Sequence, residues 1–104
     1  MSPKRENELL IIKELVHNES YGYSAKVRKF MADGWYSHED LEHCICTAAR
    51  IHKTEKDEKG ESTDGCKYTI LGNDTEGYRF YTCGKFMATD DGEVYFFITA
   101  HEAE

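Results

Sequence analysis

No apolar run in this sequence of 104 residues approaches the roughly 20 needed to cross a bilayer as a helix. The opening stretch, Ser2 to Val16, interrupts its apolar residues with charge and so lacks a signal-peptide core. A cytoplasmic setting is therefore expected, with no membrane partner, and there the four cysteines are expected as thiols rather than disulfides. Basic residues are also scarce. Thirteen Lys and Arg stand against twenty Asp and Glu, a formal charge of −7. Nucleic-acid affinity rests largely on Lys and Arg neutralising phosphates, so the composition excludes a broadly basic nucleic-acid binder. The deficit is uneven: residues 1–30 carry +2, 31–65 carry −5 and 66–104 carry −4. A local basic patch survives this, and a basic protein does not. Missing too are a phosphate-cradling glycine loop, a nucleophile elbow and a carboxylate pair at a telling spacing.

What is present is enough for one domain, residues 1–104, with one modest core. Ser2 and Pro3 suit a helix start, as N-cap and first helical residue, and Leu9, Ile12, Leu15 and Val16 form an apolar stripe on a helix over 3–18. Leu10 and Ile11 widen that stripe. Tyr21-Gly22-Tyr23 reads as an extended connector. Ser24 caps a second helix over 25–33, with Val27, Phe30 and Met31 on its apolar face, and Asp33-Gly34 stops it. Ser37-His38-Glu39-Asp40 is a capping-box-like start for a third helix over 38–50, whose Leu41, Cys44, Ile45 and Ala48 share one face.

Residues 53–65 hold no aromatic or aliphatic side chain and read as one mobile, acidic loop. Three strands follow: Cys66–Leu71, then 78–88 with Gly84 as a candidate bulge, then 93–101 after the turn Asp90-Asp91-Gly92. Helices first and a β-meander after is the α+β pattern, with the helices on one face of a small antiparallel sheet. Roughly half of the aromatic residues fall between Gly77 and Glu102, which makes this hairpin the centre of the fold.

Side chains alternate along a strand. The simplest register turns Val94, Phe96 and Ile98, with Phe80 and Phe86, toward the helices. Arg79, Tyr81, Lys85, Tyr95 and His101 then share the open face, and a bulge at Gly84 would remove Lys85 from it. Such a set suits RNA chemistry. Arg79 or Lys85 can stabilise charge on a phosphate, and Tyr81 or His101 can move a ribose 2′-hydroxyl proton. Tyr95 can stack a base, with Lys26 and Lys67 as further contacts to substrate. Exposed sheet faces carry the same residue types simply because they suit strands, so a catalytic reading and a structural one both stand. A non-catalytic protein-binding module of the same fold is the alternative, and an edge strand offers a route to a homodimer.

His43-Cys44-Ile45-Cys46 invites a metal reading. Residues 44 and 46 point about 200° apart on a helix, however, and there is no Cys-x-x-Cys pair. Cys44 fits better as a small core residue. Cys66 and Cys83 could be neighbours on paired strands, as a metal site or a redox pair. The expected set of cofactors and metals is none.

From Tyr23 onward the chain resembles a family of small bacterial proteins, domain of unknown function 4258. The matching stretches are Tyr23-Ser24, Val27-Arg28-Lys29-Phe30-Met31, Gly34-Trp35-Tyr36-Ser37, Glu39-Asp40-Leu41, Ile70-Leu71-Gly72 and Phe97-Ile98-Thr99. Lys26 stands where the family commonly has His, and Asp33 where it commonly has Arg. Members are similar to toxins of the RelE and BrnT kind, which place helices on a small antiparallel sheet and cleave mRNA. The resemblance implies a toxin of a toxin–antitoxin pair, a metal-independent endoribonuclease with RNA as substrate and a zinc-finger antitoxin as partner.

Overall fold

The structure, a computed structural model, describes residues 3–103. Its elements are α1 (Pro3–His17), β1 (Tyr21–Tyr23), α2 (Ala25–Ala32), α3 (His38–Thr47), β2 (Lys53–Lys56), β3 (Cys66–Asn73), β4 (Arg79–Thr89) and β5 (Gly92–Glu102). The expected capping of α1 by Ser2 lies outside the described residues. The α+β class holds, with three helices and one sheet among the described residues.

The sheet is larger than a three-stranded meander. Its order is β1-β5-β4-β3-β2. β2, β3, β4 and β5 pair antiparallel, whereas β1 runs parallel to β5. Tyr21-Gly22-Tyr23 is thus an edge strand rather than a connector. Three residues suffice because β5 supplies the template, and Tyr95 and Ser24 extend the ladder through Tyr95 N to Ser20 O at 3.1 Å and Ser24 N to Phe97 O at 2.9 Å. The residues expected as one loop, 53–65, begin with the opposite edge strand, β2.

Helix starts follow the local chemistry. The Ser24 hydroxyl accepts from Val27 N at 3.2 Å and donates to Ile98 O at 2.7 Å, so one side chain caps α2 and pins it to β5. Asp40 closes the box at α3, accepting from Ser37 N at 3.0 Å. It also accepts from Thr75 N at 3.0 Å and Thr75 Oγ1 at 2.8 Å, which ties the β3–β4 turn to the start of α3. Burial alone would raise the Asp40 carboxyl. The donors at Thr75 and Ser37 outweigh it and hold the group below its ordinary value of 3.8. The far end of α3 is closed by Lys13 of α1, whose ammonium donates to Ala48 O at 2.7 Å and Cys46 O at 3.3 Å.

The core gathers Leu9, Ile12 and Val16 of α1, Val27 of α2, and Leu41, Cys44 and Ile45 of α3. They meet Tyr68, Ile70, Phe80, Phe86, Tyr95, Phe97 and Ala100 on one face of the sheet. Leu10 (64% exposed) and Ile11 (44%) turn to solvent instead of widening the stripe of α1.

Here the expected register of β5 is overturned. Tyr95 and Phe97 are fully buried, while Val94, Phe96 and Ile98 are only half-buried. Two features decide this. Cys83 pairs with Thr99 but Gly84 pairs with Phe97, so Ile98 is an extra residue in β5. The bulge therefore lies opposite Gly84, on the other strand, and it reverses the alternation of β5 beyond it. Gly84 itself makes room for a ring. A Cβ there would fall 2.4 Å from Tyr95 Cζ, so only glycine lets the ring lie over the β4 backbone. Phe86 and Phe97 contact Tyr95 edge-on, with centroids 6.0 and 5.2 Å away. Burying side chains of this size is worth roughly 2–3 kcal/mol each.

Candidate functional site

The helices send their buried side chains to one face of the sheet. The opposite face carries Lys67, Thr69 and Leu71 of β3, Arg79, Tyr81, Cys83, Lys85 and Met87 of β4, and Val94, Phe96, Thr99 and His101 of β5, by the pairing register. The bulge at Ile98 is what aligns Thr99 and His101 with Tyr81, since Tyr81 pairs directly with His101.

At one end of this face Tyr81 and His101 stack, with ring centroids 4.5 Å apart and planes 17° from parallel. His101 Nδ1 lies 3.0 Å from Glu102 O. A protonated Nδ1 donating to that carbonyl leaves Nε2 as the acceptor. Arg79 lies two residues before Tyr81 on the same face, roughly 7 Å along the strand. It is exposed. A phosphate could therefore meet the guanidinium while a neighbouring hydroxyl meets the imidazole.

Other expected site residues are placed elsewhere. Tyr95 faces the core, fully buried, and cannot stack a base; burial pushes its hydroxyl well above its ordinary value. Lys26 is exposed on α2, in the helical layer, so the sheet separates it from Arg79 and His101. Lys67 does lie on the open face, half-buried and opposite Glu55 of β2. Lys85 also has the expected parity but is only 3% exposed. Its ammonium is held by Glu61 at 2.7 Å and Asp57 at 3.4 Å. Burial would lower its pKa; the two carboxylates outweigh this and hold the ammonium above its ordinary 10.5. A lysine so neutralised is withdrawn from phosphate binding.

The partner of Lys85 explains the order in residues 57–65. Asp57 Oδ2 accepts from Glu61 N and Ser62 N, both at 2.9 Å, and Oδ1 accepts from Lys59 N at 3.3 Å. Thr63 N then donates to Phe86 O at 3.0 Å. The acidic segment is a turn folded around one buried carboxylate and fastened to β4.

The cysteines make no joint site. Cys44 sits in the core with Sγ 3.4 Å from Phe80 O, and burial pushes its thiol up to about 11. Cys46 is exposed on the other side of α3. Cys66 pairs with Lys56 and Cys83 with Thr69, so they are not opposite one another. Among the described residues no group of three or more His, Cys, Asp or Glu is arranged to hold a metal ion.

Two features escaped the sequence reading. One is the apolar part of the open face, Met87, Val94 and Phe96; a bulge in β5 was the signal needed, and glycine drew attention to β4 instead. The other is a groove of about 860 Å³ between α1 and α3, lined in part by His17, His38, His43 and Glu42. Its signal was legible: His38 and Glu42, and Glu39 and His43, recur at helical spacing. Compared with known proteins, the chain matches no family model, no curated protein and no solved structure.

Proposed function

We propose that this protein is a small endoribonuclease of the toxin type, acting through the open sheet face. The observation that carries the reading is the stacked pair Tyr81–His101 beside Arg79, with Nδ1 of His101 3.0 Å from Glu102 O. RNA cleavage of this kind needs no metal. His101 takes the proton from a ribose 2′-hydroxyl, whose oxygen attacks the adjacent phosphorus. Arg79 stabilises the charge that accumulates on the phosphoryl oxygens. The bond to the 5′-oxygen breaks and the Tyr81 hydroxyl gives it a proton; exchange with water then removes the proton from His101 and restores the one lost by Tyr81. The products are a 2′,3′-cyclic phosphate and a 5′-hydroxyl end. Phe96 and Lys67 extend the face for a splayed base and a further phosphate. The overall charge of −7 fits a short, local footprint better than extended RNA binding.

Induced expression with a growth readout tests the reading. Growth arrest by the wild-type chain, relieved by Arg79→Ala and by His101→Ala, is expected. Equal, harmless growth for all three would sink it.

A second reading has an observation of its own. The corrected register leaves Met87, Val94 and Phe96 half-buried on the open face. Such residues suit a non-catalytic module whose sheet receives a protein partner, an antitoxin in the reading above. Binding of the partner unchanged by His101→Ala, with no RNA cleavage by the free chain, distinguishes it.

A further inference from the structure

We propose that the groove between α1 and α3 docks a basic amphipathic helix of a partner protein. This site lies in the helical layer and is independent of the ribonuclease reading. The groove has a volume of about 860 Å³, with Val16 of α1 and Ile45 of α3 among its lining residues. Both are buried and close its floor. The α3 residues that line it run from His38 to Cys46, roughly 12 Å or two helical turns. That span matches apolar anchors at i, i+4 and i+7 of a docked helix.

The charge of the groove selects the partner. Glu14, Glu19, Glu39 and Glu42 line it, and Lys13 is the one Lys or Arg among the lining residues. The Lys13 ammonium is already engaged by the Ala48 and Cys46 carbonyls at 2.7 and 3.3 Å. None of the four glutamates forms a salt bridge among the described residues. Glu42 accepts one hydrogen bond, from the Tyr21 hydroxyl at 2.6 Å, and that bond uses one of its two oxygens. The groove therefore presents four carboxylates against one lysine, whose ammonium is turned to backbone carbonyls, and the three histidines His17, His38 and His43. Lysines flanking an apolar ridge supply both complements, the ridge for the floor and the ammonium groups for the rim. A bare divalent cation fits less well, since no three potential ligands converge among the described residues.

The test uses the full chain and a synthetic helix of about 15 residues, long enough to hold three to four turns. The probe carries Leu at i, i+4 and i+7 with Lys on the flanks, and a fluorophore for anisotropy. A matched probe has Glu in place of every Lys. The basic probe should bind, weaken as salt rises, and shift backbone amide resonances at Val16, His17, Glu39 and His43. The double variant Glu14→Lys, Glu39→Lys changes two exposed rim residues. It should bind the basic probe about tenfold more weakly and the acidic probe more tightly than wild type does. Circular dichroism confirms that the variant is folded. Failure of the basic probe to bind, equal affinity for variant and wild type, or shifts confined to the open sheet face would each overturn the proposal.

Discussion

Tyr95 shows how one side chain sets the orientation of a strand. Its ring fills the core over Gly84, yet its hydroxyl is buried with no hydrogen-bond partner among the described residues. An unpaired buried hydroxyl costs free energy, while the ring that carries it contributes. Tyr95→Phe should therefore leave stability unchanged or raise it by up to about 1 kcal/mol, and Tyr95→Ala should lower it by roughly 3–5 kcal/mol. Urea denaturation of both variants measures this, and a large loss in the Phe variant would mean that the hydroxyl has a partner. Asp40 gives a prediction in pH. Its folded pKa lies below the ordinary 3.8, so its contribution to stability is fully present above about pH 4–5. That contribution disappears as pH falls through the folded value. Thermal melts of wild type and Asp40→Asn should accordingly converge between pH 5 and the acid limit, and a constant gap across that range would contradict the assignment.

Between elements, α3 approaches β3 closely at Gly72. A Cβ at Gly72 would lie 2.0 Å from Cys44 O, so the helix backbone rests directly on the strand. Thr47 Oγ1 accepts from Asn73 N at 2.9 Å, and His43 Nδ1 meets Asn73 O at 2.9 Å. Gly72→Ala should push α3 outward at a cost of about 1–3 kcal/mol, seen as a lower melting temperature and faster amide exchange along α3. An unchanged melting temperature would show that the contact yields freely. The helices were legible because their caps and stripes are local: Ser24, Ser37 and the spacing of Leu41, Cys44, Ile45 and Ala48 act within a few residues. β1 was not, because three residues with a central glycine become a strand only where β5 lies beside them. The register of β5 was illegible for a related reason. Val94-Tyr95-Phe96-Phe97-Ile98 is apolar at either parity, so alternation could not choose. The choice came from Gly84 on the neighbouring strand and from the extra residue at Ile98.

For the molecule as a whole, the sheet divides two surfaces. The helical side holds the core and the acidic groove. The open side holds Arg79, Tyr81 and His101 together with a lysine, Lys85, that Asp57 and Glu61 neutralise. Arg79 and Tyr81 follow from alternation along β4, whereas His101 shares the parity of buried Tyr95 and reaches the open face only through the extra residue at Ile98. The withdrawal of Lys85 was not, because Asp57 lies 28 residues away in a segment whose composition reads as solvated loop. The activity proposed for the open face is metal-independent transesterification of RNA. Its most direct test is incubation of purified wild-type and His101→Ala protein with end-labelled RNA in the presence of a chelator, followed by analysis of the new ends. Expected are 2′,3′-cyclic phosphate and 5′-hydroxyl ends with the wild type, and a loss of about 100-fold or more in the variant. Intact RNA with both proteins, or equal cleavage by both, would contradict it.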